Sequence, residues 1–446
     1  MKSNGHLYAN SDGLTRREFL RLASLATAGM LSGCATNPVT GKSQLMLMSE
    51  QQEIEIDKNY APVQFSADYG KAQDPLLRAY IQETGQRMTG QVHRPHMPYA
   101  FQVVNATYIN AYAFPGGSIA ITRGILLSID NEAELAALIG HELGHVNARH
   151  TAQQMSKGTL TQAVIGGLSI ATGAALGQGY GQLASQLGMV SAGALLAAYS
   201  RDNEREADAL GLAYMARSGY GADGFVGLMD MLRSQSKTKN SAIELMFATH
   251  PMSDERYQTA VENVHNRYQA DRGKPLYRER YMDNISGLRR IAAAVDAMQN
   301  GEKALIGKKY AEAESQFNRA LKIAPNDYTA LVMMAKCQYL QENWTQTQRY
   351  IAQAQRVYPE EAQAWQISGI VNLKIKNYAA AYTDFDRYDK LLPGSPKTTF
   401  FRGYAKEGMD ERDKAAAYYY RYLQMTQEGK EAQHAYQRLK EWGYIR

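Results

Sequence analysis

Apolar residues recur at helical spacing between Asn131 and His150: Leu135, Leu138, Ile139, Leu143 and Val146. That period predicts a helix across the stretch, opened by a capping box at Asn131-Glu132-Ala133-Glu134. Ser200 to Gly211 reads as a second helix, rich in charge. Upstream, Phe101 to Val104 and Tyr108 to Thr122 read as strands, with Pro115-Gly116-Gly117 as a turn. Gly158 to Ser200 has no charged side chain, but glycines and glutamines interrupt it repeatedly. These interruptions argue against a clean membrane span, so buried or lid helices are expected, with a lipid hairpin as the alternative.

The C-terminal part carries a period of 34 residues. Pro325, Pro359 and Pro393 keep it, as do Tyr310, Trp344 and Tyr378. Phe317, Ile351, Phe385 and Tyr419 form a third column, and Ala335, Gly369 and Gly403 a fourth. This register resembles the tetratricopeptide repeat, in which small residues let paired helices approach and aromatics fill the gap. Units are expected at about 294–327, 328–361, 362–395 and 396–429, with a capping helix over 430–443. Such a domain would bind protein or peptide in a concave groove. Cys337 falls in a first helix and reads as a buried hydrophobe.

The N-terminus reads as an address. Thr15-Arg16-Arg17-Glu18-Phe19-Leu20 resembles a twin-arginine export signal. Leu31-Ser32-Gly33-Cys34 resembles a lipoprotein box, which makes Cys34 the expected site of lipid attachment. Ala35 follows it rather than the Asp that favours inner-membrane retention in lipoproteins, so a lipid-anchored periplasmic protein at the outer membrane is expected.

Composition narrows the chemistry. The chain has 446 residues, 45% hydrophobic, with a net charge of +5. That mild charge argues against a dedicated nucleic-acid binder. Only two cysteines occur, so a disulfide scaffold or a cysteine-rich metal module is excluded. Any metal must be held by His and carboxylates.

His141-Glu142-Leu143-Gly144-His145 supplies them. On a helix, His141 and His145 lie one turn apart on one face and can share one ion. Zinc hydrolases need three protein ligands and an open position. Glu142, beside the pair, would act as general base and then acid. Glu204 and Asp208 share a face of the second helix. Glu204 is the expected third ligand, and Asp208 would hold the far nitrogen of a zinc histidine. Glu206 reads as a solvated carboxylate and His150 as structural. Asn110 and Ala111 precede the strand turn, where a sheet edge could pair with extended substrate.

Asn110-Ala111-Tyr112, Pro115-Gly116-Gly117, His141-Glu142-x-x-His145, Glu204-x-x-x-Asp208 and His250-Pro251-x-Ser253-x-x-Arg256 together resemble the HtpX-like and CaaX-processing zinc endopeptidases, which are gluzincins. Asn37-Pro38-Val39-Thr40-Gly41 resembles the opening of their lipoprotein members. The resemblance implies one zinc per chain, with His250 as a regulatory fourth ligand and Arg256 near the site, binding substrate. The expected architecture has a signal peptide over 1–33 and an α+β zincin-like peptidase domain over 34–285, mostly helical with a small sheet. An all-α repeat solenoid over 290–446 completes it. The expected function is zinc-dependent proteolysis in periplasmic or outer-membrane protein quality control. Expected partners are protein substrates, outer-membrane proteins or their assembly machinery through the repeats, and the membrane through Cys34. A rival reading is a lipoprotein assembly factor or chaperone-like adaptor with a latent metal site. Palmitate labelling should be present in the wild type and lost in Cys34→Ala. Labelling that persists in the variant would contradict the lipid anchor.

Overall fold

The structure, a computed structural model, describes residues 34–156, 199–238 and 241–446. The leader expected over 1–33 lies outside the described residues, as do the lid or membrane helices expected between Gly158 and Ser200. Among the described residues no helix is long and apolar enough to cross a membrane.

The described residues open with an antiparallel hairpin, β1 (Cys34–Thr36) and β2 (Ser43–Leu45). Helix α1 (Glu50–Ala67) is capped by Ser49 and Gln52, and α2 (Pro75–Thr89) by Asp74. The sheet comprises β3 (Ala100–Val104), β4 (Ala111–Ala113) and β5 (Ser118–Thr122), in the order β3-β5-β4. β3 runs parallel to β5, and β4 antiparallel to it. β4 is therefore an edge strand. Thr122 N–H donates to Asn110 O and Phe114 N–H to Ser118 O. By the two-residue alternation of an antiparallel pair, the peptide groups of Ala111 and Ala113 face away from β5.

Helix α3 (Glu132–Asn147) is buried along its whole length. Asn131 caps it by accepting from the Glu134 amide. The Glu134 carboxylate reaches back past Asn131 to the Asp130 amide. The helix was expected to reach His150, but it stops at Asn147, and Arg149 turns left-handed at φ +60°. The Arg149 guanidinium is held by Glu53 at 3.0 Å and Met48 O at 2.7 Å. On an unbroken helix His150 would sit about 140° round from His145. The break swings it back to touch that ring.

Helix α4 (Arg201–Arg217) crosses α3 at backbone distance. A Cβ on Gly211 would lie 2.7 Å from His141 N, and one on Gly144 would lie 2.9 Å from Ala207 Cα. Gly140 and Gly144 on one helix thus face Gly211 and Ala207 on the other. Glu204, Ala207, Asp208 and Gly211 share one helical face, so the same crossing aims both carboxylates at the histidines. Helices α5 (Asp223–Thr238) and α6 (Asp254–Asn266) follow, with shorter helices at Glu244–Thr249 and Arg278–Asn284.

Four helix pairs follow: Ala292–Ile306 with Tyr310–Ile323, Tyr328–Leu340 with Trp344–Val357, Ala362–Lys374 with Tyr378–Leu391, and Pro396–Gly408 with Arg412–Met425. Lys430–Glu441 caps them. Ring atoms of Phe317, Phe385 and Tyr419 would meet a Cβ on Gly301, Gly369 and Gly403 at 2.5, 2.7 and 2.9 Å. Lys308, Glu342, Lys376 and Asp410, 34 residues apart, all turn left-handed between paired helices. Cys337 is wholly buried.

The repeats were expected to bind protein or peptide in a concave groove. First helices of the second and third pairs pack on the peptidase part. Arg123 pairs with Asp327 at 2.6 Å, and Thr329 donates to Asn105 O at 3.2 Å. Lys336 lies over the Tyr69 ring at 4.4 Å. Gln363 donates to Ser66 O at 3.0 Å. That stretch of repeat surface is filled by the chain's own residues, and one apolar core runs through both parts.

Alanine normally favours a helix over glycine by about 1 kcal/mol. At Gly211 the clash should reverse the sign: Gly211→Ala is expected to destabilise by about 1–3 kcal/mol in urea unfolding. A stabilised variant would contradict the close crossing.

Candidate metal centre

Four side chains converge where α3 and α4 cross: His141, His145, Glu204 and His250. Their donor atoms lie within 4.8 Å of one another, and all four residues are buried. His145 Nε2 stands 3.0 Å from His141 Nε2 and 3.4 Å from Glu204 Oε1. His250, in the loop after Glu244–Thr249, brings Nδ1 to 3.1 Å from Glu204 Oε1 and 3.4 Å from His141 Nε2. Glu142 is fully buried beside them, and neither of its carboxylate oxygens has a hydrogen-bond partner. His250 Nε2 is 3.9 Å from Glu142 Oε1. Burial, reinforced by the charge of Glu204, pushes the Glu142 carboxyl up against the pull of His250 and His141.

Each inner donor is held from behind. Asp208 Oδ1 lies 2.9 Å from His141 Nδ1. Burial would raise the Asp208 carboxyl, but Arg256 and His141 outweigh it and hold it below its usual range. Arg256 was expected to bind substrate. Its nitrogens instead contact Asp208 at 2.7 and 2.8 Å, Pro251 O at 3.0 Å and Glu204 Oε2 at 2.7 Å. These contacts engage four of the five N–H groups of the guanidinium with protein oxygens, two of them on Asp208 and one on Glu204.

Behind His145, its Nδ1 is 2.9 Å from His150 Nδ1. His150 Nε2 is 3.2 Å from Glu206 Oε2, so Glu206 is a partner of this network rather than a solvated carboxylate. Tyr199 stacks on His145 with ring centres 3.8 Å apart. Its hydroxyl contacts Thr151 at 2.8 Å and its amide donates to Thr249 O. No pattern in the sequence points to Tyr199. His150 was visible as a histidine five past His145, but only the helix break gives it that role.

With every carboxylate ionised and every imidazole neutral, Glu142, Glu204, Asp208 and Arg256 would leave two negative charges in the interior; burial, which raises Glu142, and the carboxylates Glu204 and Glu142, which raise His250 against burial, both lessen that charge. Uncompensated charge there is strongly unfavourable. Three imidazoles and a carboxylate, buried and converging, are the donor set of a divalent ion such as zinc. The residues present therefore fit the metal.

Asn110 and Ala111 lie at the start of β4, and both are wholly buried. Neither atom of the Asn110 side-chain amide has a hydrogen-bond partner.

Two crossed helices carrying His-Glu-x-x-His and a downstream glutamate, with helical repeats behind them, define a metallopeptidase fold of the gluzincin type. The comparisons agree. The model of peptidase family M48 matches residues 75–264, and that of the tetratricopeptide repeat matches 304–368. Metalloprotease YcaL of Escherichia coli (strain K12) is 31% identical over 218 residues, covering 49% of this chain and 78% of that protein. The chain belongs to peptidase family M48. It is also 29% identical to the beta-barrel assembly-enhancing protease of Yersinia pestis over 282 residues, 62% of this chain and 56% of that one. The protease of that name from Escherichia coli (strain K12) is 29% identical over 234 residues, 50% of this chain and 46% of that one. The chain thus spans about half the length of these two relatives.

Proposed function

We propose that the protein is a zinc-dependent endopeptidase, held at a membrane by lipid on Cys34 and acting in outer-membrane protein quality control. The observation that carries the enzymatic reading is Glu142: a buried carboxylate whose oxygens have no hydrogen-bond partner, directly beside a converging metal donor set. His141, His145 and Glu204 would hold the zinc. Bound there, the ion would polarise the scissile carbonyl and acidify an attacking water. Glu142 would take the proton from that water and return it to the leaving amine. The outward peptide groups of Ala111 and Ala113 pair with an extended substrate, and the Asn110 amide meets a substrate peptide group.

His250 fills the fourth place in the donor set and keeps the enzyme latent until its loop moves. That same feature favours the second reading, an adaptor acting through its repeats. The substrate class rests on the names of the relatives and on the export signal. Cys34 precedes Asn37 by three residues, a reach of about 10 Å. Asn37 in turn touches Glu206, so a lipid on Cys34 would bring the metal-bearing helix close to the bilayer.

Metal analysis of the purified chain should find one zinc. Casein cleavage should be low in wild type, raised several-fold in His250→Ala and abolished in Glu142→Gln. Equal cleavage by Glu142→Gln would contradict the mechanism. Complementation of a deletion by Glu142→Gln would favour the adaptor.

A further inference from the structure

One sequence feature has no part in the mechanism: the Asn37-Pro38-Val39-Thr40-Gly41 turn between β1 and β2. The Asn37 Oδ1 accepts from the amides of Val39 at 2.8 Å and Thr40 at 3.1 Å. Asn37 N–H donates to Lys42 O at 2.8 Å, and Gly41 N–H to Asn37 O at 2.9 Å. Gly41 takes φ +68°, which a side chain would resist. The turn thus fixes the Asn37 side chain and leaves its Nδ2 aimed at Glu206 Oε1, 3.4 Å away. Asn37 and His150 are both buried.

We propose that Asn37 is a positioning residue for the metal centre, acting through Glu206 and His150 on the ligand His145. The inference rests on the metal reading above. Proton placement along the chain of contacts is self-consistent. His145 turns Nε2 to the donor group, so its proton sits on Nδ1 and is donated to His150 Nδ1. His150 then carries its own proton on Nε2 and donates it to Glu206 Oε2. Asn37 Nδ2 donates to the other oxygen of that carboxylate. A ligand histidine held this way has its tautomer and ring orientation fixed, and losing such a partner typically weakens metal binding about 10–100-fold.

Only asparagine satisfies both ends. Its oxygen builds the turn while its nitrogen serves Glu206; aspartate would build the turn but face Glu206 with like charge. The hairpin is pinned nearby as well. Leu47 N–H donates to Ser156 Oγ at 3.0 Å, and Arg149 donates to Met48 O at 2.7 Å. The two ligand histidines are thus supported differently. His141 leans on Asp208 within α4, whereas His145 leans on a segment just past the proposed lipid anchor. The state of that segment is therefore felt at the metal.

The test uses the full chain as wild type, Asn37→Asp, His150→Ala and the double variant. Zinc affinity is measured by chelator competition, and the cobalt-loaded forms by their visible spectrum. Asn37→Asp should lower the metal-free thermal midpoint through its like charge to Glu206, and should also weaken zinc about 10-fold and alter the cobalt spectrum. His150→Ala should weaken zinc at least as much, and the double variant should match His150→Ala, because the chain is already cut. If Asn37→Asp does not fold, Glu206→Gln should give the same loss and the same non-additivity. Wild-type affinity and spectrum in Asn37→Asp or Glu206→Gln, or losses that multiply in the double variant, would overturn the proposal. A wild type that binds no zinc would overturn the metal reading and this inference with it.

Discussion

The structure depends on keeping three carboxylates and one guanidinium in its interior. Glu142 and Glu204 are fully buried, and Asp208 and Arg256 nearly so. Charge in such a place must be matched by opposite charge or by a metal. Arg256 matches part of it, bridging Glu204 and Asp208. Three imidazoles facing Glu204 cannot do the rest while neutral, but they can hold the divalent ion that would.

That constraint explains the tight helix crossing. Donors on two helices reach one point only if the backbones nearly touch, and Gly140, Gly144, Ala207 and Gly211 permit it. It also explains why support extends far from the centre. The site draws on α1 through Glu53 and Arg149, and on the N-terminal hairpin through Asn37 and Glu206. The repeats lie against residues 66–69, 105 and 123, so they brace the side of the domain where β3 and β5 end.

Much of the site was legible in the sequence because helical spacing is enough to place it. His141, His145, Glu204 and Asp208 need only two helices with known faces. The repeat columns were legible for the same reason: a glycine opposite an aromatic leaves a mark at fixed spacing. Other features leave none. Arg149, Lys308, Glu342, Lys376 and Asp410 turn left-handed without being glycine, so neither the helix break nor the shared repeat turn shows in composition. Glu206 lies two residues from Glu204, which on helix periodicity points it away from the metal. Only the break at Arg149 brings His150 round to meet it. The docking of the repeats onto their own peptidase part joins a shared apolar core to polar contacts such as Gln363 with Ser66, and the polar contacts have no sequence pattern at all.

The central claim is that a divalent ion balances the buried charge. Thermal unfolding of the full chain with chelator, and then with added zinc, tests it most directly. A bound ion should stabilise the fold by about 4 kcal/mol when zinc is a thousandfold above its dissociation constant. The account predicts a midpoint that falls with chelator, rises with zinc to saturation at one ion per chain, and ceases to respond in Glu204→Ala. A wild-type midpoint indifferent to both chelator and zinc would contradict it.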